Sequence, residues 1–209
     1  YSIQDYHVFT TMSIFTLAQS RATMGFDNNG PRQVTSTMNS TNIEEKKARG
    51  EDLIPRWNFL PSVDLYMDQV IAYVNSELGD FFNRLGCQPL TKSMVNNYVK
   101  EKIVAPPVNK KYDRISMAMI IVVYLLKTCF STEEVRLLLR MGMDLPDHAT
   151  TYNRFCEAVE NALYSVFSGH IHVDEVAESG RERRYLMDNF ALAFACKAYV
   201  QKTFISITE

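Results

Sequence analysis

Apolar residues recur at intervals of three or four along most of this chain, which is the spacing of helices that bury one face. After Pro61 the pattern predicts a helix that Ser62 caps, with an inward-facing set of Met67, Val70, Ile71, Val74 and Leu78. Just before this helix, Trp57 and Phe59 are expected to pack as hydrophobic anchors. The chain is therefore expected to be mainly α-helical.

A short polar helix is predicted over Lys92–Lys102, with a cap at Thr91. Its inward stripe is Met94, Val95, Tyr98 and Val99. Pro106 and Pro107 are expected to stop it, because proline lacks the backbone N–H that continues a helix. The following segment, Val108–Arg114, is predicted to be a tight basic turn.

The second half of the chain predicts further helices. Ser116 is expected to cap a helix that is apolar almost all round and therefore buried. The run Ser131–Glu134 has the pattern of a capping box, and Asp147 is expected to open a helix that Gly169 ends. A last helix, from Arg181 to about Phe204, is apolar over nearly its whole circumference, so we expect it to be sandwiched or shared with a second subunit.

Composition shifts divide the chain into three segments. Residues 1–52 are predicted to be an N-terminal segment, with a helix favoured over a strand near residues 3–23, followed by a linker rich in Asn, Ser and Thr. Residues 53–143 form one predicted domain and residues 144–209 a C-terminal helical region suited to dimerisation. The longest apolar run, Met117–Leu126, is too short for a bilayer that requires about 20 residues, so no membrane partner is expected.

Positive charge is concentrated between Thr91 and Arg114. This stretch has six basic residues against two acidic ones, a local charge of +4 in a chain whose net charge is −2, so the remainder carries −6. The basic residues are Lys92, Lys100, Lys102, Lys110, Lys111 and Arg114. A basic patch on an acidic body is typical of a surface that binds phosphates.

Other chemistry has weaker support in the sequence. The four cysteines lie far apart, which excludes a metal knuckle or a redox pair of neighbouring thiols and indicates a reducing, cytoplasmic compartment. The run His170-Ile-His172-Val-Asp174 is similar to the start of some metal-dependent hydrolases, but a catalytic zinc site requires about three protein ligands and the chain has only two other histidines. No enzyme activity and no cofactor are expected.

The basic segment and its flanks resemble the DNA-binding domain of MerR-type regulators. The residues that fall in the corresponding order are Thr91, Tyr98, Pro106, Tyr112, Ser116, Phe130, Ser131, Glu134 and Val135. A closer resemblance is to an uncharacterised bacterial family, described only as a domain of unknown function with a MerR-like fold. Its runs LPxxDLYMDQV, LTKxMxNNYVK and KYxR are similar to residues 60–70 and 90–114. The MerR pattern places arginines where this chain has Asn96 and Asp113.

The resemblance implies a MerR-like winged helix-turn-helix with additional N- and C-terminal helices. It also implies a homodimeric regulator that binds double-stranded DNA; any effector ligand is unknown. The DNA-contacting residues that it implies are Lys92, Ser93, Asn96, Asn97, Tyr98, Lys100, Lys102, Lys110, Lys111, Tyr112 and Arg114. Lysines and Arg114 would neutralise phosphates, the two asparagines would reach base edges, and the two tyrosines would pack the helix against the wing with a hydroxyl near a phosphate. The alternative hypotheses are a helical protein-interaction or adaptor domain that has lost DNA binding and, remotely, a metal-dependent hydrolase.

Overall fold

A computed structural model of the chain describes residues 52–84, 87–142, 147–170 and 182–205, all within one compact unit, Ser36–Glu209. The predicted N-terminal helix and linker, up to residue 51, lie outside the described residues. The fold of the described part is mainly helical, as expected. After a single 3-10 turn at Trp57–Phe59, its elements are β1 (Leu65–Tyr66), α1 (Met67–Arg84), α2 (Lys92–Lys100), β2 (Lys111–Tyr112), α3 (Arg114–Leu126), α4 (Thr132–Gly142), α5 (His148–Phe167), α6 (Glu182–Val200) and a π-helical turn (Gln201–Ile205).

The two short strands pair antiparallel, with Leu65 opposite Tyr112 and Tyr66 opposite Lys111. The first helix therefore begins at Met67, and the predicted cap at Ser62 is wrong because the chain around it runs into the sheet. The Gln69 side chain instead accepts a hydrogen bond from the Tyr66 backbone N–H at 2.9 Å, one half of a capping box.

Helix α3 lies at the centre of the hydrophobic core, as its all-round apolar sequence predicts. Its buried residues are Met117, Ala118, Ile120, Ile121, Val123, Tyr124, Leu125 and Leu126. The same core includes residues from Leu53 near the start of the described chain to Ala198 in α6. Within it, Phe190 of α6 stacks on Phe155 of α5 with ring centroids 5.5 Å apart.

Of the other predicted helix starts, three are confirmed and one is wrong. Thr91 accepts a hydrogen bond from Met94 N, and Asp147 accepts from the backbone N–H groups of the first turn of α5. In the capping box, Ser131 N donates to Glu134 at 2.7 Å and Glu134 N donates to Ser131 Oγ at 3.3 Å. Helix α3, however, is capped by Asp113, which accepts from Ser116 N at 2.8 Å; Ser116 itself lies inside the helix.

The chain ahead of β1 is anchored to α5 through one carboxylate. Glu160 accepts hydrogen bonds from Leu53 N (2.8 Å), Ile54 N (2.9 Å) and the Arg56 guanidinium (2.6 Å). Trp57 packs against the core as predicted, with its ring edge-on to that of Tyr152. Phe59 is 73% exposed, so its predicted anchoring role is wrong.

At the end of α5, Gly169 has a φ of +76° and ends the helix as predicted. The last helix occupies Glu182–Val200 and continues as the π-helical turn. In the part of the chain that the structure describes, no helix has the length and apolar character required to cross a membrane.

Candidate nucleic-acid interface

Helix α2 presents one polar face to solvent. Val95 and Tyr98 are buried, whereas four exposed residues, Ser93, Asn96, Asn97 and Lys100, follow the three- and four-residue spacing of a single helix face. This face contains two amides, a hydroxyl and an amine, and no acid. Donors and acceptors of this kind suit hydrogen bonding to nucleic-acid bases.

The start of α2 is fixed by residues that the sequence analysis did not single out. Asn75 of α1 clamps the backbone of Leu90: its Nδ2 donates to Leu90 O at 3.0 Å, and Leu90 N donates to its Oδ1 at 2.9 Å. The Tyr124 hydroxyl of α3 donates to Gln88 O at 2.7 Å. The only signal in the sequence for this role of Asn75 is that asparagine, a poor helix former, stands inside a long helix.

The end of α2 is a Schellman motif built on a lysine. Ile103 N donates to Tyr98 O at 2.9 Å and Lys102 N donates to Val99 O at 3.0 Å, with Lys102 at a φ of +57°. The helix thus ends at Lys100 rather than at the predicted Lys102, before the prolines are reached. A left-handed residue, not proline, terminates it.

Beyond the prolines the chain makes a two-residue hairpin turn. Val108 and Lys111 exchange both backbone hydrogen bonds, at 3.0 and 2.9 Å. The central residues, Asn109 and Lys110, both have positive φ, the pattern of a type I′ turn. The predicted basic turn over Val108–Arg114 is therefore a tight hairpin that leads into β2 and then into α3.

The lysines of this region differ in their exposure and in their partners. Lys100, Lys102 and Lys110 are exposed, and none of them has an ion pair among the described residues. Lys92 forms an ion pair with Asp68 at 2.5 Å. The Lys111 amine lies 5.1 Å from the centroid of the Tyr66 ring, a cation–π contact that leaves it half-buried.

The two acids within this basic segment are engaged elsewhere. The Glu101 carboxylate pairs with Arg136 of α4 at 3.2 Å, and Arg136 also donates to the Glu101 carbonyl. Asp113 accepts the Ser116 N–H at the start of α3. The Glu101 carboxylate is thus paired with a cation outside the basic segment, and Asp113 serves as the cap of α3.

Three residues of the predicted contact set do not lie free on this surface. Tyr98 and Tyr112 are 5% and 1% exposed, and burial raises the pKa of Tyr98 to about 12. The Tyr98 hydroxyl is buried and has no hydrogen-bond partner among the described residues. Arg114 is half-buried: its Nε donates to Pro61 O at 3.3 Å, and its guanidinium lies 5.8 Å from the Trp57 ring centroid. These contacts indicate packing roles for all three.

The candidate hydrolase motif gains no support from the described residues. His172 and Asp174 lie outside them, and His170 is exposed, with Nδ1 3.4 Å from Ser168 Oγ. Within the described ranges no group of three or more His, Cys, Asp or Glu side chains is placed to hold a metal ion. All four cysteines are free thiols.

Comparison with known proteins gives one match. No curated protein and no solved structure matches the chain. A family model does match residues 55–158, which include β1, α1, α2, the hairpin, α3, α4 and the first half of α5. Over these residues, about half of its length, the chain is similar to an uncharacterised family described as a domain of unknown function (DUF1836).

Proposed function

We propose that this protein is a non-enzymatic, cytoplasmic regulator that binds double-stranded DNA through a MerR-like winged helix-turn-helix. The observation that carries the proposal is the exposed face of α2, which consists of Ser93, Asn96, Asn97 and Lys100. The chain just before α2 is held by the two hydrogen bonds between Asn75 and Leu90. The element order β1–α1–α2–hairpin–α3 supports it, because a winged helix-turn-helix requires two successive helices followed by a hairpin.

In this proposal α2 enters the major groove. Asn96 and Asn97 reach base edges, where an asparagine amide pairs with the N6 and N7 atoms of adenine. Lys100, Lys102 and Lys110 neutralise phosphates and set the register without reading sequence. Tyr98 and Tyr112 are left out of this contact set because they are buried, and Arg114 because its guanidinium already holds the chain near Trp57.

The proposed regulator is a homodimer. The C-terminal end of the described chain exposes three large apolar side chains, Val200 (47%), Phe204 (63%) and Ile205 (55%), which a second copy would cover. Two-fold symmetry then places two copies of α2 on half-sites about 34 Å apart.

Selection from a pool of random double-stranded oligonucleotides tests the proposal. We expect the wild-type protein to enrich an inverted repeat with half-sites about one helical turn apart. Asn96→Ala/Asn97→Ala should lose enrichment while keeping its binding to unselected DNA, because the lysines remain. A matched control is Asn58→Ala/Asn83→Ala, which removes two exposed amides elsewhere and should enrich the same sequence. If the wild-type protein enriches no DNA sequence, this result contradicts the proposal that α2 contacts base edges.

A protein-interaction or adaptor domain is the second candidate. Four large apolar side chains near β1 and the hairpin are exposed: Phe59 (73%), Val63 (65%), Tyr66 (50%) and Val108 (74%). Exposed apolar surface of this kind is typical of protein docking surfaces. Measurable DNA affinity that falls on charge reversal in the hairpin would exclude this candidate as the sole function.

A further inference from the structure

A partly open cavity of about 100 Å³ lies among α3, α4, α5 and α6. The residues that surround it are almost all apolar, and four are aromatic: Trp57, Tyr152, Phe155 and Phe190. An apolar cavity of about 150 Å³ in another protein stays dry and takes up benzene. The cavity in this protein is smaller and partly open, but its lining is of the same apolar kind, which favours an organic ring over water.

Two of the polar side chains at the cavity are occupied within the protein, whereas His148, which also lines it, is exposed. The Thr151 hydroxyl donates to Asp147 O at 2.8 Å, and the Tyr152 hydroxyl donates to Pro55 O at 3.0 Å. No Asp, Glu, Lys or Arg is among the described residues that line the cavity. A carboxylate or phosphate would therefore lose its hydration and gain at most the His148 imidazole as a partner, which favours an uncharged occupant.

The lining also offers the contacts that an aromatic ring prefers. Phe155 and Phe190 are stacked at an interplanar angle of 11°, while Trp57 meets Tyr152 edge-on at 6.3 Å. A ligand ring can add to either arrangement. Met119 and Met187 also line the cavity, and thioethers make favourable contacts with ring edges while adapting to ligand shape.

We infer that this cavity is a binding site for an uncharged aromatic molecule about the size of a single substituted ring. The site is formed by α3, α4, α5, α6 and Trp57, and none of the exposed residues proposed to contact DNA lines it. The inference therefore stands independently of the proposed function, and its test is made without DNA.

Toluene is a suitable probe, with benzoate as the charged analogue of the same ring. Trp57 is the only tryptophan in the chain and lines the cavity, so its fluorescence reports occupancy directly. We expect toluene to change this fluorescence saturably. At about ten times its Kd, toluene should raise the thermal midpoint by about 3–6 °C, whereas benzoate should neither change the fluorescence saturably nor raise the midpoint.

Two variants that fill the cavity, Ala118→Leu and Val122→Phe, should lose the toluene response. Ala158→Leu, a matched substitution at a half-buried α5 position outside the lining, should keep it. Intermolecular nuclear Overhauser effects from toluene to the Met187 methyl group locate the ligand in the wild-type protein even where a filled variant does not fold.

Three results obtained with the wild-type protein would overturn the inference. They are no saturable toluene response up to saturation of the solution, an equal response to benzoate, and toluene contacts that exclude Met187. A response retained in the folded, filled variants has the same meaning.

Discussion

Asn75 and Leu90 form a reciprocal pair in which one amide side chain satisfies both backbone groups of the residue before the Thr91 cap. Leu90 is itself buried, so its N–H and C=O have little access to water. The Asn75 side chain thus makes the two hydrogen bonds that a neighbouring strand would make to Leu90, and it fixes where α2 begins relative to α1.

Removing this clamp should destabilise the protein. Asn75→Ala leaves two backbone groups without partners, and we expect the free energy of unfolding to fall by about 1–3 kcal/mol. Urea denaturation followed by far-ultraviolet circular dichroism measures it. Ser76→Ala, on the exposed side of the same helix, should change the free energy by less than about 0.5 kcal/mol. Equal effects of the two substitutions would show that the clamp contributes nothing.

Lys102 and Gly169 occupy the same position in two Schellman motifs, both with positive φ. Only glycine adopts this conformation without a Cβ penalty. Lys102→Gly should therefore raise the free energy of unfolding by about 0.5–1 kcal/mol, and Gly169→Ala should lower it by about 1 kcal/mol. Thermal denaturation of both variants checks the opposite signs, and a destabilised Lys102→Gly would contradict the assignment.

The buried hydroxyl of Tyr98 has no hydrogen-bond partner in the part of the chain that the structure describes, and this suggests a stabilising substitution. Tyr98→Phe removes an unsatisfied polar atom and keeps the ring, so the free energy of unfolding should stay equal or rise by up to about 1 kcal/mol. DNA affinity should not change, since the ring lies in the core. A loss of DNA affinity without a loss of stability would indicate that Tyr98 contacts DNA.

Stability should fall at alkaline pH. Burial raises the pKa of the Cys87 thiol to about 11 and that of the Cys156 thiol to about 12, from an ordinary value of 9.0. Between pH 9 and these values the folded state binds more protons than the unfolded state, so the free energy of unfolding decreases as the pH rises.

Urea denaturation between pH 7 and 11 measures this decline, which should be absent below about pH 8, a unit under the ordinary thiol pKa. Cys156→Ala should make the alkaline slope shallower, although it also removes buried volume and lowers stability at every pH. An unchanged slope in this variant would mean that the Cys156 thiol titrates alike in both states.

Local signals in the sequence predicted much of this fold. The caps at Thr91 and Asp147, the Ser131–Glu134 box and the glycine stop at residue 169 depend on neighbours within a few residues, which a sequence pattern contains. The pairing of Leu65 with Tyr112 joins positions 47 residues apart, and a two-residue strand has no periodicity of its own. The helix was consequently predicted to start too early.

The charge of the candidate site could be predicted from the sequence, but the exposure and the contacts of its residues could not. The lysine cluster is visible in the sequence, whereas the exposure of each residue depends on tertiary contacts. Tyr98 and Arg114 belong to a basic segment, yet one is buried and the other contacts Trp57. Asp113 lies where the MerR pattern has an arginine, and it caps α3 instead. Arg136 acts on α2 from 35 positions away, a distance that no local pattern spans.

We propose that the face formed by α2 and the hairpin binds DNA, and salt-dependent fluorescence anisotropy with labelled duplex DNA measures this binding. We expect the logarithm of the association constant to fall linearly with the logarithm of salt concentration. Lys100→Glu/Lys110→Glu, which reverses two of the exposed lysines proposed to contact phosphates, should reduce that slope by about 2. Arg140→Glu/Arg154→Glu, which reverses two exposed charges on α4 and α5, should retain the wild-type slope. Absence of binding at low salt, or equal slopes for the two charge-reversed variants, would contradict the account.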